Sequence, residues 1–339
     1  MTTSPLFSQL FKMQLLLFAF FLNSLLLFSQ PPESYSVCTW NIENWGVTDR
    51  FVNGRFEKEA MKPEEEMKSV LTILKRIHPD ILGVSEILRD PQDRFLKLLQ
   101  ERLKKEGLDY PYFATVHGSD SRIQCAVFSR FPILEQYSHS DLQFEVTHQS
   151  KEKKRERLRQ GLLRGLLHLR IQITPDYELQ LMQVHLKSKR PDPSLLSDSP
   201  DETGDDYVRR QEALLIKNTM NRILVAQPEV NLLLMGDLND TPRSKAVKTM
   251  IGTKGSETPT YDLWLQDWLG DWWTHFYFPD KSYSRIDYMI ASEGLMRDWI
   301  KEKSFIYRSK EGDPESYLTT SASDHRPLVA FFRASDKRK

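Results

Sequence analysis

Two side chains suited to holding a phosphate, a metal-bound water or a divalent cation follow an apolar run in residues 231–240, Asn-Leu-Leu-Leu-Met-Gly-Asp-Leu-Asn-Asp. The apolar residues predict a buried strand that ends at Gly236. Because alternate residues of a strand face the same way, Asp237 and Asn239 place a carboxylate beside an amide that both donates and accepts hydrogen bonds. The same residues are also typical of an Asx turn ahead of a helix near Pro242.

Other predicted strand boundaries carry polar side chains that a hydrophobic core does not need. Asn41 and Glu86 end two strands, His185 ends a third, Asp287 begins a fourth, and Asp324 and His325 precede the last. Each one alone is also typical of a strand that meets a polar loop. An imidazole beside a carboxylate is the usual means of placing a proton acceptor in the neutral pH range. The joint occurrence of these residues in this order therefore indicates a functional site more strongly than any single one.

Helices and strands of ordinary length must position these residues. Predicted helices cover residues 63–78, 91–106 and 207–225, and predicted strands cover residues 35–42, 81–86, 112–116, 123–129, 162–173, 179–186, 285–291 and 328–332, in addition to the strand that ends at Gly236. Strands outnumber helices and no internal repeat is visible. This pattern favours an α/β fold of two packed, mostly antiparallel β-sheets flanked by helices over a doubly wound sheet.

Three segments are defined by composition rather than by periodicity. Residues 151–159 are dense in charge and are predicted to form a solvated loop or helix face. Residues 191–206 are rich in proline, serine and aspartate, which predicts a surface loop. Residues 264–278 are rich in aromatic side chains, which are expected in the core, with an exposed wedge for lipid or for stacked bases as the alternative.

The composition is ordinary for a soluble globular protein, with 40% hydrophobic and 28% charged residues in a chain of 339. The formal net charge is zero, so no overall charge attracts a polyanionic partner. The length fits one large domain over residues 31–339. Cys38 and Cys125 lie in apolar strand-like runs and are expected to be buried free thiols, with a disulfide as the alternative.

The N-terminus has the pattern of an export signal. Lys12 precedes an apolar run over residues 13–28, which is shorter than the ~20 apolar residues of a membrane span. No A-x-A-like cleavage site precedes Pro31, so an uncleaved anchor is the alternative. Residues 1–30 are therefore predicted to be a signal peptide or N-terminal anchor. The protein is expected to be secreted or periplasmic, to reach a membrane only through this segment, and to act as a monomer.

With Gly-Asp-x-Asn at residues 236–239 and Ser-Asp-His-x-Pro at residues 323–327, the chain resembles the endonuclease/exonuclease/phosphatase superfamily. That superfamily includes deoxyribonuclease I, exonuclease III, neutral sphingomyelinases and inositol polyphosphate 5-phosphatases. The resemblance covers residues 35–332. It implies a four-layer α/β sandwich, an active site where loops join the two sheets at one edge, and hydrolysis of a phosphoester by an activated water.

The resemblance also implies a metal side of the site. Glu86 matches the principal metal-ligating carboxylate, and Asn41 matches a helper that lies near the same cation and the substrate. Asp324 matches an additional carboxylate on the metal side. Asp237 and Asn239 match residues that position the nucleophilic water or a second cation. The hard oxygens of these carboxylates favour Mg²⁺ or Mn²⁺ over Zn²⁺.

Four further residues are implied to act on the phosphate. His325 matches a residue that contacts the scissile phosphate or serves as general base, with Asp287 orienting it. His185 matches a phosphate-contacting histidine and is a candidate general acid. Arg164 lies where some family members present an arginine to the phosphate, and an ordinary arginine on an edge strand is the alternative.

These expectations describe an exported, divalent-metal-dependent phosphoester hydrolase, a nuclease or general phosphodiesterase. A phosphodiesterase acting on phospholipid or sphingomyelin head groups is the first alternative, so the substrate partner is a nucleic acid or a phospholipid head group. A catalytically silent binding module on the same fold is the second alternative. A silent module is expected to have lost Glu86, Asp237, Asp287 or His325, and all four are present.

Overall fold

The computed structural model describes residues 32–52, 54–150, 152, 154–252, 255–310 and 321–334. The predicted signal peptide or anchor, residues 1–30, lies outside the described residues. Within the described residues, no helix has both the length and the apolar character needed to cross a membrane.

The chain consists of many short strands and a few helices. In order, the elements are β1 (Ser34–Trp45), β2 (Val47–Val52), β3 (Arg55–Met61), α1 (Glu64–Ile77), β4 (Ile81–Leu88), α2 (Arg94–Lys105), β5 (Tyr112–Val116), β6 (Ile123–Ser129), β7 (Ile133–Tyr137), β8 (Gln143–Gln149), β9 (Arg155–Gly161), β10 (Leu167–Thr174), β11 (Tyr177–His185), β12 (Leu195–Leu196), α3 (Gly204–Ala226), β13 (Leu232–Asp237), α4 (Lys245–Met250), β14 (Thr260–Asp262), β15 (His275–Tyr277), β16 (Ser282–Ser284), β17 (Asp287–Ser292), α5 (Glu293–Met296), a 3₁₀ turn (Lys301–Lys303), β18 (Phe305–Ile306) and β19 (Leu328–Arg333).

Two six-stranded sheets form the centre of the fold, with strand orders β18-β19-β1-β4-β6-β5 and β14-β17-β13-β11-β10-β7. In each sheet, one pair of the described strands is parallel, β1 with β4 and β11 with β13, and the other pairs are antiparallel. A parallel pair needs a crossover connection, which α1 provides in the first sheet and α3 in the second. The carboxyl ends of each parallel pair therefore lie at one edge of its sheet, beside the starts of β19 and β17.

Three clusters of buried apolar residues separate four layers. The central cluster joins the facing sides of the two sheets, with Val37 and Ile81 from one and Leu181 and Met235 from the other. A second cluster packs α1 and α2 on the outer face of the first sheet. A third cluster packs α3 and α4 on the outer face of the second sheet. The predicted four-layer α/β sandwich is confirmed.

Local signals fix where the main helices begin. In α1, Glu64 to Glu66 lie in the first turn, where carboxylates favour the positive end of the helix dipole, and the apolar residues at helical spacing are buried. In α3, Thr203 and Asp206 form a capping box, in which each side chain accepts a hydrogen bond from the backbone of the other residue. This cap starts α3 a few residues before the predicted helix over residues 207–225.

Two predictions of secondary structure are wrong, one in the start of a strand and one in the type of element. The strand expected over residues 162–173 begins only at Leu167, because Gly165 adopts a positive φ of 75° and turns the chain out of the strand. The charged segment over residues 151–159 was expected to be a loop or helix face, but Arg155–Gly161 forms strand β9. Strand β9 pairs with β8 and forms the exposed edge of a three-stranded sheet, a position where charged side chains are common.

The aromatic segment over residues 264–278 was expected in the core, and that prediction is also wrong. Leu263 and Leu265 are buried and supply its apolar contacts, whereas Trp264 between them is 44% exposed and lies against the guanidinium of Arg285. Farther along, Phe278 is 78% exposed. Alternation along an extended chain puts neighbouring side chains on opposite faces, so an aromatic-rich sequence is compatible with an exposed face. Cys38 and Cys125 are buried free thiols.

Candidate active site

The predicted site residues meet where the carboxyl ends of the two parallel strand pairs come together. Asn41 lies in β1, Glu86 in β4, His185 at the end of β11 and Asp237 at the end of β13. Asp237 pairs in register with His185 on one side and with Asp287, the first residue of β17, on the other. The crossover topology of each sheet therefore places these side chains at one edge.

The backbone around the site adopts conformations that side-chain-bearing residues rarely take. Glu43, Asn44, Glu86 and Asn239 all have positive φ values, between 50° and 66°. The pairing register of β1 with β4 shifts between Asn41 and Trp45, so the strand bulges at this point. Such strain costs on the order of 1–3 kcal/mol per residue and is characteristic of functional sites.

Gly236 is required for the approach of β13 to β11. Its φ is 132°, and a Cβ atom built at this position would overlap the carbonyl oxygen of Val184. Any other residue would push the two strands apart and move the adjacent Asp237. The glycine in the Gly-Asp-x-Asn sequence thus positions the carboxylate that follows it.

The amide of Asn41 joins two carboxylates. Its Nδ2 atom donates to Glu86 Oε1 at 3.1 Å and to Asp237 Oδ2 at 3.2 Å. The other oxygen of Glu86 accepts from the backbone N–H of Asn44 at 3.1 Å. Burial, together with repulsion from Asp287, raises the pKa of Asp237 to about 7 against the opposing effect of His325. The amide of Asn41 therefore holds two carboxylates close together, and burial of Asp237 makes its charged form unfavourable.

A third carboxylate group, Glu43, was not predicted from the sequence. Its Oε2 atom accepts from the backbone N–H of Asp324 at 3.2 Å. Burial and repulsion from Asp324, Glu66 and Glu86 raise the pKa of Glu43 to about 7, while Lys62 opposes the shift. Crowded, partly buried oxygen donors of this kind fit a divalent cation such as Mg²⁺ or Mn²⁺.

His325 and Asp287 form a buried pair. His325 Nδ1 donates to Asp287 Oδ2 at 2.8 Å, and its Nε2 lies 3.8 Å from Asp237 Oδ2 and 3.9 Å from Asp324 Oδ1. Burial alone would lower the pKa of His325, but Asp287, Asp237 and Asp324 outweigh it and raise the pKa well above its ordinary value. The imidazole is therefore held as a cation with one nitrogen committed to Asp287.

His185 has the opposite electrostatic character. Its Nε2 lies 3.6 Å from Asp237 Oδ2, and no group in the described part of the chain hydrogen-bonds to its Nδ1. Burial, the charge of Arg164 and the charge of His325 lower the pKa of His185 well below its ordinary value. His185 is therefore a neutral imidazole at the site.

Asn239 and Arg164 support the loop that follows His185. Asn239 Nδ2 and Arg164 both donate to the carbonyl oxygen of Leu186 at 3.0 Å, and Arg164 also pairs with Asp120 at 3.2 Å. The backbone N–H of Asn239 donates to Asp237 Oδ1 at 2.7 Å. The structure thus places the Arg164 guanidinium in contact with the backbone next to the predicted site.

Another residue that the sequence did not single out, His275, completes the histidine side of the site. Its ring lies 4.6 Å from that of His325, and its Nε2 lies 3.6 Å from Asp324 Oδ2. His275, Asp324 and His325 form one group able to hold a metal ion, and Asp237, Asp287 and His325 form another. An isolated bridge pairs His275 with His325, and the hydroxyl of Thr274 accepts a hydrogen bond from the backbone N–H of Asp287. Because these contacts are tertiary, no local sequence signal marks His275.

The loop before the last strand is locked onto β1. Ser323 Oγ donates to the carbonyl oxygen of Asn41 at 2.8 Å and accepts from the backbone N–H of His325 at 3.0 Å. Trp40 Nε1 donates to the carbonyl oxygen of His325 at 3.0 Å. These bonds explain why serine precedes the Asp-His pair, because the hydroxyl sets the position of the imidazole relative to β1.

The fold is shared with solved structures of low sequence identity. Truncated TDP2 from Caenorhabditis elegans is 17% identical with a TM-score of 0.53, over 89% of this chain and 98% of that chain. The human Nocturnin catalytic domain with bound sulfate is 16% identical with a TM-score of 0.52, over 89% and 95%. Beta toxin 275-280 from Staphylococcus aureus is 14% identical with a TM-score of 0.52, over 87% and 99%.

No curated protein sequence matches the chain. The model of the Endonuclease/Exonuclease/phosphatase family matches residues 38–325, which is most of the chain. Together with the shared sandwich fold, this match confirms the resemblance drawn from the strand-end motifs. The chain belongs to the endonuclease/exonuclease/phosphatase family.

Proposed function

We propose that this protein is a divalent-metal-dependent phosphodiesterase that acts as a nuclease or general phosphodiesterase. Family membership supports a metal-dependent phosphoesterase. The observation that carries the proposal is the contact of two buried sets of groups through Asp237. Asp237 Oδ2 accepts from Asn41, which also donates to Glu86, and the same oxygen lies 3.8 Å from Nε2 of His325, whose ring is paired with Asp287.

Glu86, Glu43 and Asp324 are the groups that would hold the cation, with Asn41 keeping Glu86 in place. Mg²⁺ or Mn²⁺ suits these hard oxygen donors. When bound, the cation would supply Lewis-acid stabilisation of the negative charge that develops on the phosphate oxygens.

Asp237, His325 and His185 would transfer protons and donate hydrogen bonds to the substrate. Asp237, with a pKa raised to about 7, orients a water together with Asn239 and accepts its proton near neutral pH. His325, held as a cation by Asp287, donates a hydrogen bond to a non-bridging phosphate oxygen. Neutral His185, whose Nε2 lies 3.6 Å from Asp237 Oδ2, donates a further hydrogen bond to the substrate. A neutral imidazole is too weak an acid to protonate the leaving oxygen, so the predicted role of general acid passes to the cationic His325, which has a proton to give.

Hydrolysis assays on the full chain test this proposal. Plasmid DNA and bis-p-nitrophenyl phosphate should be cleaved in Mg²⁺ or Mn²⁺, EDTA should stop the reaction, and added metal should restore it. Equal rates in EDTA and in Mg²⁺ would contradict the proposal, as would a lack of activity on every phosphodiester with folded protein.

A phospholipid head group is the second candidate substrate, and a specific surface feature favours it. Two hairpins carry exposed aromatic residues. Hairpin β2–β3 follows Trp45, the last residue of β1, and hairpin β15–β16 begins at His275. Phe51 in the first is 69% exposed and packs edge-to-face on Phe56, and Phe278 lies in the turn of the second. Exposed apolar patches of this kind are typical of interaction sites. Cleavage of sphingomyelin liposomes with plasmid DNA left intact would favour this candidate.

We also propose that the protein is exported by means of its N-terminal segment, residues 1–30, and that it is a monomer in solution. Mass spectrometry of the N-terminus, on protein recovered from the extracellular or periplasmic fraction, tests removal of this segment. A full-length chain in the membrane fraction would instead favour the anchor. Light scattering in solution tests the monomer.

A further inference from the structure

A groove of about 530 Å³ opens between the ends of strands β5 and β7, the outermost strands of the two sheets. Val116 and Tyr137, the last residues of these strands, line it, and its other walls come from residues 117–119, 136, 138–140, 142, 161–162 and 165–166. We call this cavity the side groove. Gln136 Nε2 donates to the carbonyl oxygen of Thr115 at 2.9 Å, which joins the two strands beside it.

Strand direction puts the side groove at the same edge as the candidate active site. Strands β5 and β4 are both antiparallel to β6, so β5 ends at the edge where β4 carries Glu86. Strands β7 and β11 are both antiparallel to β10, so β7 ends at the edge where β11 ends in His185. The side groove is therefore a lateral extension of the catalytic edge.

One loop separates the side groove from the catalytic residues. Gly165 lines the groove, and the adjacent Arg164 donates to the carbonyl oxygen of Leu186, the residue after His185. A Cβ atom on Gly118 would overlap the carbonyl oxygen of Leu163, so the groove wall and this loop are packed without room for a larger residue. A ligand in the side groove would lie one loop away from a phosphate beside His185.

The walls of the side groove are uncharged and partly aromatic. Its lining residues in the described part of the chain include no Asp, Glu, Lys or Arg. Tyr137 and His139 both stack on His168, with ring centroids 4.4 and 5.3 Å away. His139 Nε2 lies 3.0 Å from His168 Nδ1, and His168 Nε2 lies 2.9 Å from Gln180 Oε1. This network fixes the aromatic wall.

The two stacked histidines, His139 and His168, are neutral. Burial lowers the pKa of His168 to about 4, although Gln180 opposes the shift, and burial also lowers the pKa of His139. Among the described lining residues, a phosphate would find no Lys or Arg, and a quaternary ammonium group would find no Asp or Glu. A flat, uncharged ring with hydrogen-bonding edges would find two planar side chains and the hydroxyls of Ser119, Ser138 and Ser140.

We propose that the side groove binds a nucleobase of the nucleotide next to the scissile phosphate. The inference rests on the proposed phosphodiesterase function and assigns nucleic acid as its substrate class. Stacking on aromatic side chains and imidazoles is the usual way in which proteins hold an unpaired base. The substrate is therefore single-stranded, because a base within a duplex is not free to enter a groove.

Two variants test the side groove by opposite means. Gly161→Phe fills it, since a Cβ atom at Gly161 would meet only the carbonyl oxygen of Leu142 at 3.7 Å and its φ is not positive. His139→Ala instead removes part of the aromatic wall. His148→Ala is the matched control, because His148 lies in β8 and does not line the groove.

The substrates are two single-stranded oligonucleotides with the same backbone. One carries normal bases, and the other carries abasic tetrahydrofuran residues on both sides of a single cleavable phosphodiester. In both groove variants, KM for the normal oligonucleotide should rise about tenfold, the value of one lost stacking contact. KM for the abasic oligonucleotide should stay unchanged. Equal changes on both substrates, or no change on either, would overturn the proposal.

A binding measurement separates the groove from the catalytic proposal. In EDTA, calorimetry should show that the unmodified protein binds adenosine 5′-monophosphate about tenfold more tightly than ribose 5-phosphate. This preference should disappear in Gly161→Phe. If the preference is found but no phosphodiester is cleaved, the groove assignment stands and the proposed function fails. If metal-dependent cleavage is found without any preference for the base, the function stands and the groove assignment fails.

Discussion

His185 and His325 belong to different elements, yet both approach the same oxygen of Asp237, at 3.6 and 3.8 Å. Their exposures are nearly equal, 3% and 5%. The pKa of His185 is nevertheless lowered, whereas that of His325 is raised. The difference arises from their neighbours, because His325 is hydrogen-bonded to Asp287 while His185 lies near Arg164. Burial therefore disfavours the protonated form of both imidazoles, and the neighbouring charged groups determine which of the two remains protonated.

The largest expected effect is a difference in activity between the two histidines. His325→Ala should lower kcat by about 10³-fold or more, because it removes a cation that contacts the phosphate. His185→Ala should lower kcat by about 10²-fold, because it removes one neutral hydrogen-bond donor. Steady-state hydrolysis of an oligonucleotide in Mg²⁺ measures both values, with His148→Ala as the unaffected control. A greater loss in His185→Ala would reverse the assignment of roles.

The next effect concerns the carboxylates of Glu86 and Asp237, which Asn41 joins. Asn41→Ala removes the amide that joins Glu86 to Asp237, so the two carboxylates lose their fixed separation. The concentration of Mg²⁺ needed for half-maximal activity should rise about 10- to 100-fold, the usual effect of losing a group that orients a metal ligand. Titration of the rate with Mg²⁺ measures the change. An Asn41→Ala variant with unchanged metal dependence and full activity would show that the amide does not orient Glu86 for metal binding.

The two histidines should also give the stability of the metal-free protein opposite pH dependences. The raised pKa of His325 contributes stability that is fully present below the unfolded value of about 6.5 and is lost as the pH rises through the folded pKa. The lowered pKa of His185 has the reverse sign, so its contribution is lost as the pH falls below about 6.5. Each slope is at most about 1.4 kcal/mol per pH unit.

Urea unfolding in EDTA between pH 5 and pH 9 measures these slopes, and His185→Gln and His325→Gln serve as mutual controls. His325→Gln should flatten the loss of stability on the alkaline side. His185→Gln should flatten the loss on the acid side. Identical pH profiles for the two variants would mean that the charge states assigned to the two imidazoles are incorrect.

The smallest expected effect distinguishes two interpretations of Arg164. Arg164→Met keeps the aliphatic stem and removes the charge, so the pKa of His185 should rise and kcat/KM should fall less than tenfold. A direct contact with the substrate phosphate would instead cost more, since hydrogen bonds to charged groups contribute about 1.5–3 kcal/mol. A loss of 10²-fold or more, with the pKa of His185 unchanged in an NMR titration, would support the contact with substrate.

The sequence predicted the parts of the site that depend on local order. Asp237 follows a buried strand and a glycine, and His325 follows a serine that orders its loop, so short motifs determine both positions. Glu43 lies in a bulge and His275 in a separate hairpin, and only tertiary contacts bring them to Asp324. Such tertiary contacts leave no periodic pattern in the sequence from which they could be predicted.

The fold shows the same division. Alternating and helical patterns predicted the central strands and the long helices, because those elements bury a regular face. Strand β9 was missed because it has charged residues on both faces. The exposure of Trp264, which follows β14, was missed because an aromatic residue is usually buried. Composition in these segments therefore did not predict how the backbone is folded.

The most direct test of the account is the activity of Asp287→Asn, which keeps the shape of the side chain that holds His325 and removes its charge. In Mg²⁺, with a melting temperature close to that of the unmodified protein, the rate of oligonucleotide cleavage should fall about 10²- to 10⁴-fold. This loss is expected because His325 would no longer be held as a cation in the correct orientation. A folded Asp287→Asn variant that cleaves at the full rate would contradict the account.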